Sequence, residues 1–397
     1  MSETVHIPQL RFPEFSGDWN RVKIQKLLDD KSIISHLDGN HGALYPRSEE
    51  FTKEGVPYVT ANDFINGKVD LKKCKCLPVE RASQFKKGIA HNGDVLFAHN
   101  ATVGPVALLE TDLEYVVLST TATYYRCDNN TLINKYLKVY LTSNDFVRQY
   151  SRVMSQSTRN QVPITTQRLF YINLPDKPEQ QKIAAFLTAV DSKIEQLSKK
   201  QELLGEYKKG LMQQIFSQAI RFKADDGSDF PDWEEKKLRN VLSSVSTRPY
   251  QIKSADILEF GSHKVVDQGQ KELAGYTNEK DKLLTNDGVI VYGDHTTIVK
   301  FINYDFVVGA DGVKLLTSDS NNIKYLYFNL LFNNVGPEGY KRHFSILKNV
   351  VLQIPSLPEQ NKIANFLSSI DSKIEQVGKQ LNESKQFKKA LLQQMFV

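Results

Sequence analysis

The hexapeptide "DSKIEQ" stands at 191–196 and again at 371–376. A long-period internal repeat restricts topology more than any composition does, because each copy must fold in the same way. Extended outward, "PEQQKIAAFLTAVDSKIEQL" (178–197) and "PEQNKIANFLSSIDSKIEQV" (358–377) agree at 14 of 20 positions without a gap. The register continues to "KKGLMQQIF" (208–216) and "KKALLQQMF" (388–396). The only two tryptophans occupy matching lead-ins, "LRFPEFSGDW" (10–19) and "IRFKADDGSDFPDW" (220–233).

The repeated segments read as long helices. Apolar residues step by four and three at Ile183, Leu187, Val190, Ile194 and Leu197, then at Leu204, Leu211 and Ile215. The second copy gives Ile363, Leu367, Ile370, Ile374, Val377, Leu381, Leu391 and Met395. Sustained 4–3 spacing marks a coiled-coil seam, and Pro178 and Pro358 suit a first helical turn. Polar residues interrupt the seam at Gln201, Lys208, Ser384 and Lys388; such positions cost stability and can fix register. From Ile183 to Phe216 a helix runs about 50 Å. The alternative is two amphipathic helices lying on separate cores.

Between each lead-in and its helix the helical period is lost. There "GDVLFAHNATVGPVALL" (93–109) resembles "DGVIVYGDHTTIVKFI" (287–302), each read as apolar strand, polar loop and second strand. "NKYLKVYL" (134–141) and "IKYLYFNLL" (323–331) read as matching short helices. The expected fold class is α+β: two similar mixed β-rich domains, a pair of long antiparallel coiled-coil helices and a pseudo-two-fold internal repeat. The expected boundaries are a lead-in at 1–19, a first β-rich domain at 20–175, a central helix at 176–220, a lead-in with second β-rich domain at 221–355, and a C-terminal helix at 356–397. Duplex DNA shares approximate two-fold symmetry, with half-sites spaced about 34–36 Å per helical turn, so the plan suits a two-headed DNA reader.

The L-R-F-P-E-F-x-G-x-W opening (Leu10 to Trp19), the P-x-x-x-K-I-A-x-F-L-x-x-x-D-x-K-I helix (Pro178 to Gln196), the K-K-G-L-M-Q-Q-I-F ending (Lys208 to Phe216) and their second copies carry a family resemblance. The whole chain resembles the specificity subunit of type I restriction-modification systems. That resemblance implies two target-recognition domains reading the halves of a split, double-stranded DNA target, and a helix pair acting as ruler between them. It implies methyltransferase (modification) subunits docked on the helices and a motor-nuclease (restriction) subunit joining them. It also implies no catalytic role and no cofactor for this chain, with S-adenosylmethionine, ATP and Mg2+ held by the partners. One departure is Gly205 and Gly210, which are expected to fray or bend the first helix, at about 1 kcal/mol each relative to alanine.

The residues themselves agree in carrying no catalytic signature. There is no G-x-x-x-x-G-K-[ST] loop, no Asn/Asp-Pro-Pro-aromatic motif and no H-E-x-x-H among eight scattered histidines. "PDWEEKK" (231–237) superficially suggests a metal-dependent nuclease, but those ligands must converge from separate strands. Three cysteines, Cys74, Cys76 and Cys127, are too few for a disulfide framework and read as reduced structural thiols. No apolar run reaches 18 residues and the N-terminus reads without a secretion signal, so no membrane partner and a cytoplasmic location are expected.

DNA contacts are expected from two acid-free basic stretches, each just before a long helix. The first (146–175) holds Arg148, Arg152, Arg159 and Arg168, with Asn160, Gln161, Thr165, Thr166 and Gln167 able to read base edges. The second (339–357) holds Lys341, Arg342, His343 and Lys348. Residues 20–169 carry 20 basic against 15 acidic residues, whereas 234–350 carry 15 against 14. Loops after the candidate strands add His99, Asn100 and Thr102, and opposite them His295, Thr296 and Thr297, with Asp294 either reading or closing a turn. Gln268, Gln270 and Lys271 complete the set. Ordinary surface polarity is the alternative for any one of them, and a coiled-coil tether with two interaction heads is the alternative for the chain.

Overall fold

The computed structural model describes residues 7–156, 158–309, 311–339 and 341–396. The first six residues of the lead-in, and Ser157 and Tyr340 in the basic stretches, lie outside the described residues. The chain divides into two compact units, 1–199 with 379–397, and 200–378. Each unit therefore takes part of both long helices, Lys177–Phe216 and Leu357–Gln394.

Within each unit the two helix segments run antiparallel. In the first, Asp191 meets Lys388 at 2.5 Å. The earlier Ile183 and Leu187 share one core with the later Leu391 and Met395. In the second, Lys208 meets Asp371 at 2.5 Å, and Ile215 shares a core with Ile363, Leu367 and Ile370. Leu197, Val377 and Leu381 are buried, while Val190, Ile194, Leu204, Leu211 and Ile374 are half-buried. Two of the four polar seam positions, Lys208 and Lys388, are thus explained: each repeated Asp of "DSKIEQ" receives the Lys that breaks the 4–3 pattern. A paired charge at one seam position specifies register, since a shifted helix leaves both ions unmatched.

Gly205 and Gly210 do not interrupt the first helix, which is continuous from Lys177 to Phe216. Glycine lowers helix propensity without blocking the backbone hydrogen bond, and Leu211, Met212 and Ile215 anchor the following turns in the second core.

In the first unit a six-stranded sheet has the order Ile33–Asp38, Ala122–Cys127, Val95–Asn100, Thr102–Leu108, Lys68–Val69 and Phe64–Ile65. A second sheet orders Lys75–Leu77, Val56–Val59, Val116–Leu118 and Ile89–Ala90. Val95–Asn100 is apolar on both faces: Val95 and Phe97 enter the core shared with the helices, and Leu96 enters the core of the second sheet. Alternate side chains of a strand point to opposite faces, so a strand covered on both sides reads as an unbroken apolar run.

The second unit repeats this arrangement. Ser243–Val245, Val313–Thr317, Val289–Gly293 and Val299–Ile302 form one sheet, and Gln251–Ile252, Val307–Gly309, His263–Val266 and Gly275–Thr277 the other. Ile290 and Tyr292 face the helix core, whereas Val289 and Val291 face the other side. The expected short helices are Asn134–Tyr140 and Ile323–Phe332.

The repeated R-F…W…P-E-Q residues lock each lead-in to its helix. Arg11 donates Nε and Nη2 to the two carboxylate oxygens of Glu179, both at 2.7 Å, and Trp19 Nε1 donates to the same carboxylate at 3.2 Å. Arg221 and Trp233 treat Glu359 alike, at 3.3, 2.9 and 3.0 Å. The next residue, Gln180, accepts from Ile133 N and donates to Thr131 O and Pro175 O. Gln360 accepts from Asn322 N and donates to Pro355 O. These repeated residues are architectural, and the three cysteines are free thiols. Burial pushes the Cys74 thiol up to about 12, so it stays protonated.

Candidate nucleic-acid interface

In the first domain the central hairpin turns on Ala101 alone, at φ 62°, instead of on a loop. Its tip is joined to the basic stretch by main-chain bonds. Val162 N donates to His99 O at 2.8 Å and Ala101 N to Asn160 O at 3.0 Å, and Asn100 forms a bridge with Gln161. The Asn160 side chain adds a 2.6 Å bond to Ala101 O. Two separately expected groups therefore form one surface. On it Thr102, Arg159 and Asn160 are exposed and Asn100 and Gln161 half-buried. Thr165 is exposed and Thr166 half-buried on the adjoining short helix Ile164–Gln167.

Two residues expected to read DNA here are instead internal. Gln167 is fully buried: Oε1 accepts from Tyr125 OH (2.7 Å) and Thr123 Oγ1 (3.1 Å) and lies 3.2 Å from His36 Nε2, while Nε2 donates to Val162 O. His99 is 3% exposed, with Nδ1 against Val162 O. Their polar groups hold the floor of the surface and cannot reach a base edge without unfolding it. Burial also pushes the His36 imidazole down to about 3, keeping it neutral where it stacks on Tyr125. Arg168 is half-buried, donating to His36 O at 3.1 Å.

Arg148 and Arg152 stand exposed on a separate helix, Asn144–Met154. That helix is tied down by buried Asp145, which accepts from Tyr140 OH (2.6 Å) and Gln149 Nε2 (3.0 Å). Its Tyr150 hydroxyl lies where a Cβ at Gly104 (φ +115°) would clash, so glycine lets helix and hairpin meet.

The second domain reproduces the junction. His343 N donates to Asp294 O at 2.8 Å, the counterpart of Val162 to His99. Here too sequence expectations need correction. His343 is fully buried and Thr297 6% exposed. Asp294 closes the turn, its Oδ1 accepting from Phe344 N at 2.9 Å. Gln268 spends its amide on neighbouring loops, donating to Asp311 O and accepting from His295 N. Thr296 Oγ1 donates to Gln268 O at 2.7 Å. These short loops have no regular ladder, so side chains satisfy their polar groups and are lost to readout.

Lys341, Arg342, Lys348, Gln270 and Lys271 are exposed and His295 is half-buried. Lys300, its ammonium held by Asp267 O and Lys271 O, fixes the loop that presents Gln270 and Lys271. A cleft of about 730 Å³ opens beside this junction, lined by Asp294, His295, Lys341 and Arg342 from the expected segments and by Thr247, Arg248, Gln251, Asp311 and Lys314. The last five escaped sequence reasoning, because neither 247–251 nor 311–314 stands out by charge or repeat.

Residues 34–204 and 231–385 each match the type I restriction modification DNA specificity domain. The chain belongs to that family. It is 23% identical over 410 residues to the putative type I restriction enzyme MjaX specificity subunit of Methanocaldococcus jannaschii, covering 96% of this chain and 93% of that protein. It is 24% identical over 424 residues to the MjaVIII specificity subunit of the same organism, covering 96% and 92%. The fold resembles the crystal structure of the type I restriction-modification S subunit from M. genitalium, with TM-score 0.63, 15% identity and coverage of 98% and 99%. A structure of an assembling type I system matches at TM-score 0.53, 18% identity and coverage of 96% and 97%. The function is DNA sequence specificity within a type I restriction-modification complex, and a purely tethering role is not favoured. Among the described residues no helix is long and apolar enough to cross a membrane.

Proposed function

We propose that this specificity subunit reads a bipartite duplex target, one half per domain, with the helix pair setting the gap. The observation that carries the reading is the shared junction, His99 with Val162 and Asp294 with His343, which joins strand end to basic stretch in both domains. In this reading the chain performs no chemistry. Modification subunits dock on the helices and methylate adenine, and a motor-nuclease subunit restricts unmodified DNA. S-adenosylmethionine, ATP and Mg2+ belong to those partners, and the assembly works in the cytoplasm.

The test is methylation mapping in cells expressing the chain with its modification subunit. A single split motif is expected, and exchanging residues 20–169 should change one half and leave the other. A contiguous motif, or a swap that alters both halves, overturns the reading.

A further inference from the structure

The 730 Å³ cleft of the second domain is lined by four cations, Arg248, Lys314, Lys341 and Arg342. Its floor is settled: Lys314 Nζ lies 3.8 Å from Asp294, whose other oxygen accepts from Phe344 N. Lys341 pairs with Glu338 at 3.3 Å, and Asp311 accepts from the Gln251 amide at 2.8 Å. Arg248 and Arg342 line the same cleft from segments far apart in sequence, and both are exposed. Neither has an ion-pair partner among the described residues. We propose that this cleft seats the sugar-phosphate backbone of one DNA strand, with Arg248 and Arg342 as its phosphate contacts.

The guanidinium fork matches phosphate oxygens in pairs, and an arginine whose charge is not already spent gains most from that match. The two carboxylates lining the cleft are engaged by Lys314, Phe344 N and Gln251, which lessens their repulsion of a polyanion. Arg342 also adjoins His343, whose backbone forms the junction, so a strand held here lies beside the exposed side chains of that surface. The inference rests on the half-site reading above.

The test measures affinity of the full chain, co-purified with its modification subunit, for a duplex bearing the mapped target and for a scrambled duplex, across a salt series. Arg248→Ala and Arg342→Ala should each lower the salt slope by about 1, weakening both duplexes alike. Arg248→Lys and Arg342→Lys should retain the slope, which separates lost charge from lost fold. An unchanged slope in either alanine variant, or a loss confined to the target duplex, overturns the proposal. If instead the unmutated complex shows no salt-sensitive binding, the half-site reading itself fails.

Discussion

At the end of its central strand the first domain uses an amide to close the gap, Asn160 binding Ala101 O at 2.6 Å. At the same place the second domain opens a cleft of about 730 Å³ among Arg248, Lys314, Lys341 and Arg342. Yet the backbone bond beneath is the same, 2.8 Å in both. A main-chain hydrogen bond is indifferent to the side chains it carries. Holding the junction through backbone atoms leaves the surrounding side chains free to differ, which the proposed reading of one half-site per domain requires.

If the halves share a frame, breaking its common lock should cost them equally. Glu179 and Glu359 are 2% and 0% exposed, each binding an arginine and a tryptophan. Glu179→Ala should destabilise the first unit by about 3 kcal/mol, because a buried charge pair loses one partner. Glu359→Ala should do the same to the second. Denaturant unfolding with hydrogen exchange resolved by unit measures both, and a clear inequality would break the comparison at its base.

Acid should separate the units instead. His36, held near 3 by burial within the Gln167 cluster, stays neutral in the folded first domain but protonates in the unfolded chain below about 6.5. Stability conferred by the neutral imidazole is therefore complete above pH 6.5 and falls as pH drops toward 3, by about 2 kcal/mol at pH 5. The groups facing it are Gln167, Tyr125, Arg168 and His99, the last also pushed down by burial. Thermal unfolding from pH 7 to 4 should show the loss in the first unit, and His36→Gln should flatten it. An unchanged slope in that variant would move the acid sensitivity elsewhere.

How far the sequence reaches follows from how each feature is encoded. The helices and the central strands were legible, because periodicity records burial directly: Leu187 and Leu367 are fully buried where the 4–3 pattern puts them. Their antiparallel sense followed from the repeat and the family resemblance, and their register is fixed only by the pairs Asp191–Lys388 and Lys208–Asp371. Residue type alone could not separate exposed side chains from buried braces. Gln167 and Asn160 look alike in sequence, yet one is buried under Tyr125, Thr123 and His36 and the other is exposed. What separates them is long-range, since Tyr125 and Thr123 come from a strand some forty residues away. Arg248 escaped for the same reason, its cleft existing only once 247–251 folds beside 311–314.

The glycines give the smallest and most local comparison. Gly205 and Gly210 lie within the helix Lys177–Phe216, where an added Cβ meets nothing within 4 Å. Each alanine substitution should stabilise the second unit by about 1 kcal/mol, through higher helix propensity alone. Gly378, also helical, differs: a Cβ there comes 2.8 Å from the Gln201 amide nitrogen. That nitrogen ends a flexible side chain, so Gly378→Ala must displace Gln201 and should give back part of the same gain. Measuring the three variants by denaturant midpoint separates propensity from packing. Equal gains at all three sites would mean that the Gln201–Gly378 approach places no constraint on this helix pair.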